Sequence, residues 1–480
     1  MKRNGPTFQS VEHQVENKGK RRRKSREGYH NLDRISALPD DILVYLVSHL
    51  PLKEAVATSV LSRRWHNVGL STTTLRFHVV DFSICDNFRR YWRFQTKEFI
   101  EQENWKYINW VDHVLQQHKG KHVKEFRVSF SLDGRFSSSI NRWIQFAMEN
   151  SVERLELDLY PEAFLRFGYE DYKLHKLLGL CIPNLGSCGG NIGFKSLKVL
   201  QIRHVGVTGE FLEHFLSSCP LLERLSVSYS KDLVNLRVIS PSIALKYLVI
   251  RNCDNLESIE IRDVNIVSFS YRGFRSTNLV ISNVPLLSEV TFLKNAWPKD
   301  FIRDIFTHCC LSNIENLKLH IHGAAYNEKS ALPLLANLKH LELYVVANYR
   351  RALHHLNSFL KASPYLLTLV LKLDKYEGRP LYSCLEVGEI EKAPDCPHNH
   401  LKVVEILGYR AHTSGVEHVM YLLKNVLALE KIVVDPVRGW GYPRGLDRPD
   451  TEVDEEVKAR DHAEQYLKPK IPATVEFVCM

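Results

Sequence analysis

The residues of this sequence that could carry out chemistry include a glycine-rich stretch followed by a lysine, the composition of a phosphate-binding loop. The stretch runs from Gly186 to Gly193, and Phe194 separates it from Lys195. This spacing fits neither GxGxxG nor GxxxxGK, the patterns in which backbone N–H groups and a lysine surround a phosphate. We therefore interpret the stretch as a loop between structural elements.

Sulfur and imidazole ligands occur together at Cys396, His398 and His400. Their intervals match no common zinc site, and no second pair of ligands follows nearby. Cys479 would suit a thioester-forming ligase, but the sequence offers no activating neighbour for its thiol. The GxSxG and HExxH motifs are absent. We predict a protein that binds other molecules without catalytic residues, a metal or a cofactor.

A binding surface in this chain must be positioned by a large folded body. The chain has 480 residues, 44% of them hydrophobic and 25% charged, which is ordinary for globular proteins. No apolar run approaches the ~18 residues that span a bilayer, and the ten cysteines form no CxxC pair. These features exclude collagen-like, wholly disordered and disulfide-stapled classes, and they favour a soluble protein in a reducing compartment.

Most of the positive charge lies in the first 30 residues. These contain nine Lys and Arg against three Glu, which accounts for +6 of the formal net charge of +9. We predict that residues 1–30 are disordered, and that the cluster 18–26 is either a nuclear import signal or a solvated charge run. Without an apolar leader, the expected location is the nucleus, the cytoplasm or both. The nearly balanced body argues against a nucleic-acid groove across the whole surface.

A group of short helices is predicted after this tail. Pro39 suits the first helical position, and the acidic pair Asp40 and Asp41 faces the positive end of the helix dipole. The helix carries a wide apolar stripe and ends at Pro51. The stripe consists of Ile42, Leu43, Leu46, Val47 and Leu50. A unit of some 40 residues cannot enclose this much apolar surface, so the surplus needs a partner, which could be the rest of the chain or another protein.

The run DRISALPDDILVYLVSHLPLKEAVATSVLSRRWHNV, from Asp33 to Val68, resembles the F-box motif of plant F-box proteins. It departs from that motif at Val68-Gly69, where Leu-Trp is more usual. The resemblance implies docking on the Skp-type adaptor of a cullin-based ubiquitin ligase, and it places Trp65 inside. The implied adaptor contacts are Leu38, Pro39, Ile42, Leu43, Leu46, Leu50 and Pro51. The alternative is that the stripe belongs only to the internal core.

Beyond residue 120 a Leu-x-x-Leu-x-Leu phase recurs, mostly every 21 to 29 residues, and this period is typical of leucine-rich repeats. The phases are Val123-Phe126-Val128, Val152-Leu155-Leu157, Leu197-Leu200-Ile202, Leu222-Leu225-Val227, Leu245-Leu248-Ile250, Leu287-Val290-Phe292, Ile314-Leu317-Leu319, Leu338-Leu341-Leu343, Leu366-Leu369-Leu371, Leu401-Val404-Ile406 and Leu429-Ile432-Val434. Two further phases, at Leu256-Ile259-Ile261 and Ile266-Phe269-Tyr271, lie only about ten residues apart. We predict an α/β fold in which a three-helix F-box precedes an irregular leucine-rich-repeat solenoid, a curved parallel sheet with outer helices.

Residues between the apolar slots of each strand must point away from the core. Several are aromatic or basic and could contact a target, although they could equally be ordinary solvated strand residues. These candidates are Arg203, Tyr247, Arg251, Lys318, His320, His340, Tyr344 and Lys372. The polar ladder that Cys or Asn forms in ideal repeats is expected at Cys253 and Asn295, and it should be broken where Val205, Ser230 or His322 takes that place.

The segment from His400 to Val434 resembles the FBD region that follows the repeats in plant F-box proteins, and its pattern predicts strand, helix and strand. A charged helix over 450–467 and a strand over 474–478 should follow. The predicted organisation is a disordered tail (1–30), the F-box (31–78), the repeat array (79–394), the FBD region (395–440) and a terminal helix and strand (441–480).

These resemblances imply a non-catalytic substrate-recognition subunit of an SCF-type ubiquitin ligase. Its partners would be a Skp-type adaptor, through it a cullin scaffold, and an unknown target protein, with no membrane and no nucleic acid involved. The alternative from another class is a ubiquitin-independent nuclear scaffold or nucleic-acid-binding regulator that uses the basic tail.

Overall fold

The computed structural model describes residues 33–78, 97–159, 194–240, 242–273, 277–294, 305–306, 309–321, 332–347, 349–374, 389–438 and 450–480. The basic tail and the glycine-rich stretch up to Gly193 lie outside these residues, so the predictions made for them stay predictions. No helix within the described ranges is long and apolar enough to cross a membrane.

Short helices open the chain and strands dominate the remainder. The α-helices are α1 (Asp40–Val47), α2 (Leu52–Ala57), α3 (Arg63–Leu70), α4 (Lys97–Gln117), α5 (Ser137–Glu149), α6 (Gly209–Ser218), α7 (Ala352–Ala362), α8 (Thr413–Asn425) and α9 (Asp450–His462). The strands are β1 (Thr74–His78), β2 (Glu125–Ser129), β3 (Arg154–Asp158), β4 (Val199–Arg203), β5 (Arg224–Ser228), β6 (Asn235–Ile239), β7 (Tyr247–Arg251), β8 (Ser258–Arg262), β9 (Ser268–Gly273), β10 (Asn278–Ser282), β11 (Glu289–Lys294), β12 (Asn316–Ile321), β13 (His340–Val346), β14 (Thr368–Asp374), β15 (Val403–Leu407), β16 (Lys431–Asp435) and β17 (Glu476–Cys479).

A parallel sheet of 14 strands runs through the described part of the chain, from β1 to β17 in chain order. It omits β6, β8 and β10. Each predicted main phase coincides with a strand, and neighbouring strands pair with their apolar slots in register, as Leu341 does with Leu317 and Leu369. The predicted repeat solenoid is therefore confirmed. The sequence patterns do not predict β1, which lies inside the range assigned to the F-box yet is the first strand of this sheet.

The three omitted strands form a second parallel sheet in the order β10, β8, β6. Between β5 and β11 the chain therefore returns through strands, where outer helices were expected. The closely spaced phase at Leu256-Ile259-Ile261 is β8 of this second sheet, whereas the phase at Ile266-Phe269-Tyr271 is β9 of the main one. The return segments are strands because their apolar residues alternate with period two.

A left-handed residue turns the chain directly after several strands. His204, Tyr229 and Asn252 follow β4, β5 and β7 with φ of 54°, 58° and 52°. Ser230, after the second of these turns, is fully buried and accepts a hydrogen bond from Val207 N at 3.0 Å. The polar ladder is thus continued by this serine, where the sequence predicted a break, because a hydroxyl can replace an amide as the acceptor.

The segment resembling an FBD region forms β15, α8 and β16, which confirms the predicted strand, helix and strand. These strands continue the main sheet, and β17 pairs with β16 at its end. The predicted terminal helix and strand correspond to α9 and β17. One continuous apolar core runs from β1 to the residues after α9, and a separate small core lies between the first three helices.

Candidate functional site

The apolar stripe of α1 is divided between two sides of the helix. Leu43 and Val47 are buried, and they pack with Ala55 and Val68 in the small core. Ile42, Leu46 and Leu50 point the other way and are 43%, 45% and 39% exposed. The repeat array therefore leaves this outer side of α1 uncovered.

Leu43 does not belong with the implied adaptor contacts. Its side chain is 0% exposed, because it fills the centre of the small core. Leu38 is half-buried against the same core, while Pro39 and Pro51 are exposed. Leu43 is therefore removed from the adaptor contacts that the resemblance implies. It packs beneath the exposed side chains of α1.

Side chains from α3 fix the segment that leads into α1. Arg64 Nε donates to Asp40 Oδ1 at 2.7 Å, and its other nitrogens donate to the carbonyl oxygens of Ser36 and Leu38. Trp65 Nε1 donates to Ser36 Oγ at 2.8 Å, and the indole packs on the small core, as the sequence predicted. Four side-chain donors on two residues of α3 therefore hold the segment that precedes α1.

Further exposed apolar side chains surround the outer side of α1. Tyr45 lies one turn after Ile42 and next to Leu46, while Ile35, Val60 and Leu61 lie outside α1; all four are exposed. We name the exposed residues Ile35, Ile42, Tyr45, Leu46, Leu50, Val60 and Leu61 the outer apolar surface. The i+3 spacing from Ile42 would have placed Tyr45 on the same side of the helix, although the predicted stripe contained only aliphatic residues.

The F-box rests on the array through its other side. Leu52 of α2 is part of the array's core, and Ser48 Oγ accepts a hydrogen bond from Thr73 N at 2.8 Å. Backbone bonds from Lys119 N to Leu70 O (2.9 Å) and from Lys124 N to Thr73 O (2.8 Å) complete the contact. These contacts leave the outer apolar surface facing away from the repeats.

Five of the eight predicted target residues lie together on β12, β13 and β14. They are Lys318, His320, His340, Tyr344 and Lys372, and pairing in register places them side by side. Lys372 Nζ donates to the Tyr344 hydroxyl at 2.7 Å, and the His320 ring lies 4.0 Å from the Tyr344 ring. The array thus brings these residues into one polar patch on its outward face.

Glu342, which is not among the candidates predicted from the sequence, lies at the centre of that patch. Its carboxylate is 2.9 Å from Lys318 Nζ and 2.5 Å from Lys372 Nζ. Burial alone would raise the pKa of Glu342, but hydrogen bonds from Lys372 and Lys318 outweigh it and hold the pKa below its usual value. Burial, with Lys318 nearby, lowers the pKa of His340. The lysines are therefore largely engaged with this carboxylate.

The other three candidates lie on β4 and β7. Arg203 Nη1 is 3.8 Å from Asp158 Oδ2, and Arg251 is exposed at the end of β7. The guanidinium of Arg224 lies 4.1 Å from the centre of the Tyr247 ring and covers one of its faces. Arg224 stands at an outward position of β5 and was not among the candidates, although the strand phase alone would have placed it there.

The cysteine and histidine candidates have structural roles. His398 Nε2 lies 2.9 Å from Ser363 O, and its Nδ1 accepts from Leu401 N at 3.0 Å, so both nitrogens are used by the backbone. Burial raises the pKa of the Cys479 thiol, which disfavours the reactive thiolate. Across the described ranges no cluster of three or more metal-ligating side chains occurs.

Models of known protein families match both the F-box and the repeat array. The family model described as At1g61320/AtMIF1, LRR domain matches residues 114–480, and the F-box domain model matches residues 35–72. The F-box/FBD/LRR-repeat protein At5g22700 of Arabidopsis thaliana is 26% identical, over 84% of this chain and 92% of its own length. The F-box/FBD/LRR-repeat protein At5g22660 of the same plant is also 26% identical, over 83% and 89%. The two matching models do not separate residues 395–440 from the repeats, so that boundary stays a prediction.

Proposed function

The chain belongs to the plant F-box proteins with leucine-rich repeats, and on this premise we propose that it is the substrate-recognition subunit of an SCF-type ubiquitin ligase. The F-box would dock on a Skp-type adaptor and through it on a cullin, and the repeat array would hold a target protein. The chain itself would not catalyse the formation of a covalent bond. Its contribution would be proximity, because it raises the effective concentration of the target near the catalytic partners.

The outer apolar surface is the observation that carries this proposal. Burying a large apolar side chain contributes about 1.5–3 kcal/mol, so an isolated F-box that leaves Ile42, Leu46 and Leu50 in water forgoes several kcal/mol. A concentration of exposed apolar side chains on one small unit is typical of a protein interface. The array does not cover it, so the alternative that the stripe is only internal core holds for Leu43 and Val47 alone.

A double substitution tests the adaptor half of the proposal. Ile42→Asp with Leu46→Asp in the full chain should weaken capture by a purified Skp-type adaptor about hundredfold or more, because two carboxylates would have to be desolvated in the interface. Both positions are exposed, so the circular dichroism spectrum should not change.

The matched control is Leu221→Asp with Leu286→Asp. These leucines are also exposed, but they precede β5 and β11 at the edge of the array. The control should keep wild-type adaptor affinity. Full capture of the Ile42→Asp, Leu46→Asp variant, or equal loss in both variants, would contradict the proposed docking surface.

A nuclear or cytoplasmic location belongs to the same proposal. It is supported by the basic cluster 18–26, which has the composition of an import signal. The alternative of a ubiquitin-independent regulator that acts through the basic tail stays a prediction, because residues 1–30 lie outside the described part of the chain.

A further inference from the structure

The segment that leads into α1 forms neither helix nor strand. It covers residues 33–39, and we name it the entry segment. Its internal hydrogen bonds join residues only three positions apart, as from Ser36 N to Asp33 Oδ1 at 2.9 Å. Within the described residues, the hydrogen bonds that fix it against α2 and α3 come from Arg64 and Trp65. The path of the entry segment therefore depends on these two side chains.

Arg64 holds the entry segment through its backbone. Two guanidinium nitrogens donate to Ser36 O and Leu38 O, and Nε donates to Asp40 Oδ1 at 2.7 Å. The donors of a guanidinium form a rigid planar fork, so they fix the positions of these three acceptors relative to one another. One side chain of α3 thus determines how the chain enters α1.

The stability of the helices does not account for a cation at this position. Arg64 lies in the first turn of α3 and contacts Asp40 in the first turn of α1, so it stands near the N-termini of both helices. A positive charge is unfavourable there. The Asp40 carboxylate is 70% exposed, and an exposed ion pair offsets little of this cost. The two carbonyl groups that Arg64 holds explain its position better than helix stability does.

The entry segment carries two side chains that face the docking side of the F-box. Ile35 belongs to the outer apolar surface, and Pro39 is exposed directly before α1. Building on the proposed function, we propose that Arg64 is a positioning residue for adaptor docking, which keeps Ile35 and Pro39 in the docking conformation before the adaptor arrives. A surface that is ordered in advance binds without the cost of ordering it.

The two rates of binding distinguish a positioning residue from a contact residue. Without Arg64, the entry segment of the free chain leaves the docking conformation for part of the time, and association slows in proportion. A bound adaptor still holds the segment, so dissociation does not change. A contact residue such as Leu46 acts after docking, and its loss speeds dissociation.

Surface plasmon resonance with the full chain and an immobilised, purified Skp-type adaptor measures both rates. Arg64→Gln should lower kon about tenfold and leave koff within about twofold, which corresponds to a docking conformation that is populated about a tenth of the time. Leu46→Ala should raise koff instead. The matched control, Arg63→Gln, removes the same charge from the neighbouring exposed position and should keep both rates at the wild-type level.

A conservative variant separates the charge of Arg64 from its geometry. Arg64→Lys keeps the charge but lacks the planar fork, so it should recover only a minor part of the lost kon. Hydrogen exchange of the free chain provides a second measurement. Arg64→Gln should speed exchange in residues 33–39 and leave residues 43–47 protected, because Leu43 and Val47 remain in the small core.

If exchange also rises in residues 43–47, the F-box of Arg64→Gln has unfolded, and Ser36→Ala takes its place. This variant removes only the acceptor of the Trp65 indole, so it should lower kon by a smaller factor without changing koff. A wild-type kon in Ser36→Ala would then contradict the positioning role.

Four outcomes would overturn the proposal: an unchanged kon in folded Arg64→Gln, a loss expressed only in koff, the same loss in Arg63→Gln, or full recovery in Arg64→Lys. The variant Ile42→Asp with Leu46→Asp tests the proposed function separately. Lost capture in that variant, with wild-type kon in Arg64→Gln, contradicts the positioning role alone. A wild-type chain that binds no adaptor contradicts both proposals.

Discussion

The two ends of the repeat array are closed by segments that are attached in different ways. The F-box keeps a core of its own, with Leu43, Val47, Ala55 and Val68, while Leu52 and Val56 of α2 pack with the core of the array. The terminal segment, residues 450–480, has no separate core among the described residues. Its Ala459, Ala463 and Leu467 all belong to the core of the array. One end carries an independent unit, and the other is folded onto the repeats.

The terminal segment is also held by a buried ion cluster. The side chain of Arg410, after β15, is 6% exposed; Nη2 contacts Glu452, and Nε lies 3.4 Å from Glu455, both on α9. The Tyr409 hydroxyl lies 2.9 Å from His462 Nδ1. The difference teaches that a partner can occupy the F-box without disturbing the array, whereas the terminal segment cannot detach without opening the core.

The largest expected effect tests the terminal attachment. Arg410→Ala should destabilise the terminal segment by about 3–5 kcal/mol, because it leaves buried carboxylates of α9 without their cation. Limited proteolysis should then release residues 450–480 while adaptor capture stays at the wild-type level. The control Lys468→Ala removes an exposed ion pair with Glu464 and should cost under about 1 kcal/mol. If both variants resist protease equally, the ion cluster does not hold the segment.

A second experiment tests the independence of the F-box. Leu43→Ala should cost about 2–5 kcal/mol, and because the unit is small it should unfold while the array stays folded. Adaptor at a hundredfold excess over its Kd should restore about 2.7 kcal/mol by mass action. Hydrogen exchange of residues 40–70, with and without adaptor, measures this rescue.

Leu341→Ala is the matched control, since Leu341 is equally buried but lies in β13. Its effect on exchange in residues 340–346 should not respond to adaptor. A Leu43→Ala variant that is folded by exchange and still fails to bind adaptor would make Leu43 a direct contact after all. Rescue of Leu341→Ala would show that the two units are coupled.

The smallest effect concerns pH. Burial, reinforced by His354 and Arg351, lowers the pKa of His355 in α7 to about 3, so the folded array keeps this imidazole neutral. The unfolded chain takes up a proton near pH 6.5, and stability is therefore lost as the pH falls below that value, by about 2 kcal/mol at pH 5. Urea unfolding of His355→Leu should show a weaker loss between pH 6.5 and 5.

The F-box provides the control for this pH effect, because His49 and His66 are both exposed. His49→Gln with His66→Gln should leave the pH dependence of unfolding unchanged. A loss of pH dependence in this variant, with none in His355→Leu, would move the effect from the array to the F-box and contradict the burial argument.

The main strands of the array could be predicted from the sequence because each carries the same apolar slots at a nearly constant interval. The second sheet could not. Leu236 and Val238 of β6 show the same alternation as a main strand, and buried alternation alone does not tell which of two sheets a strand joins. The interval of about ten residues at Leu256-Ile259-Ile261 was the only sign that one turn of the chain contains two strands.

The candidate surfaces were predicted in part, for a related reason. An apolar stripe on a helix predicts which residues avoid water. It does not predict which of them pack inside the unit and which are left for a partner, so Leu43 and Leu46 look equivalent in the sequence. Outward strand positions follow from the phase, but pairing across strands does not. The contacts of Glu342 with Lys372 and of Arg224 with Tyr247 depend on the register of neighbouring strands, so the sequence pattern did not predict them.

The second sheet also determines how the solenoid bends. A helix with its side chains is about 10–12 Å across, whereas strands stack at about 4.8 Å, so a helical return spreads the back of the molecule and curves the front. From β5 to β10 both layers are strands with the same spacing, so we expect this stretch to bend less than the stretches with helical returns. A ligand that lies across β5, β7 and β9 would accordingly meet a flatter surface than one that lies across the strands backed by helices.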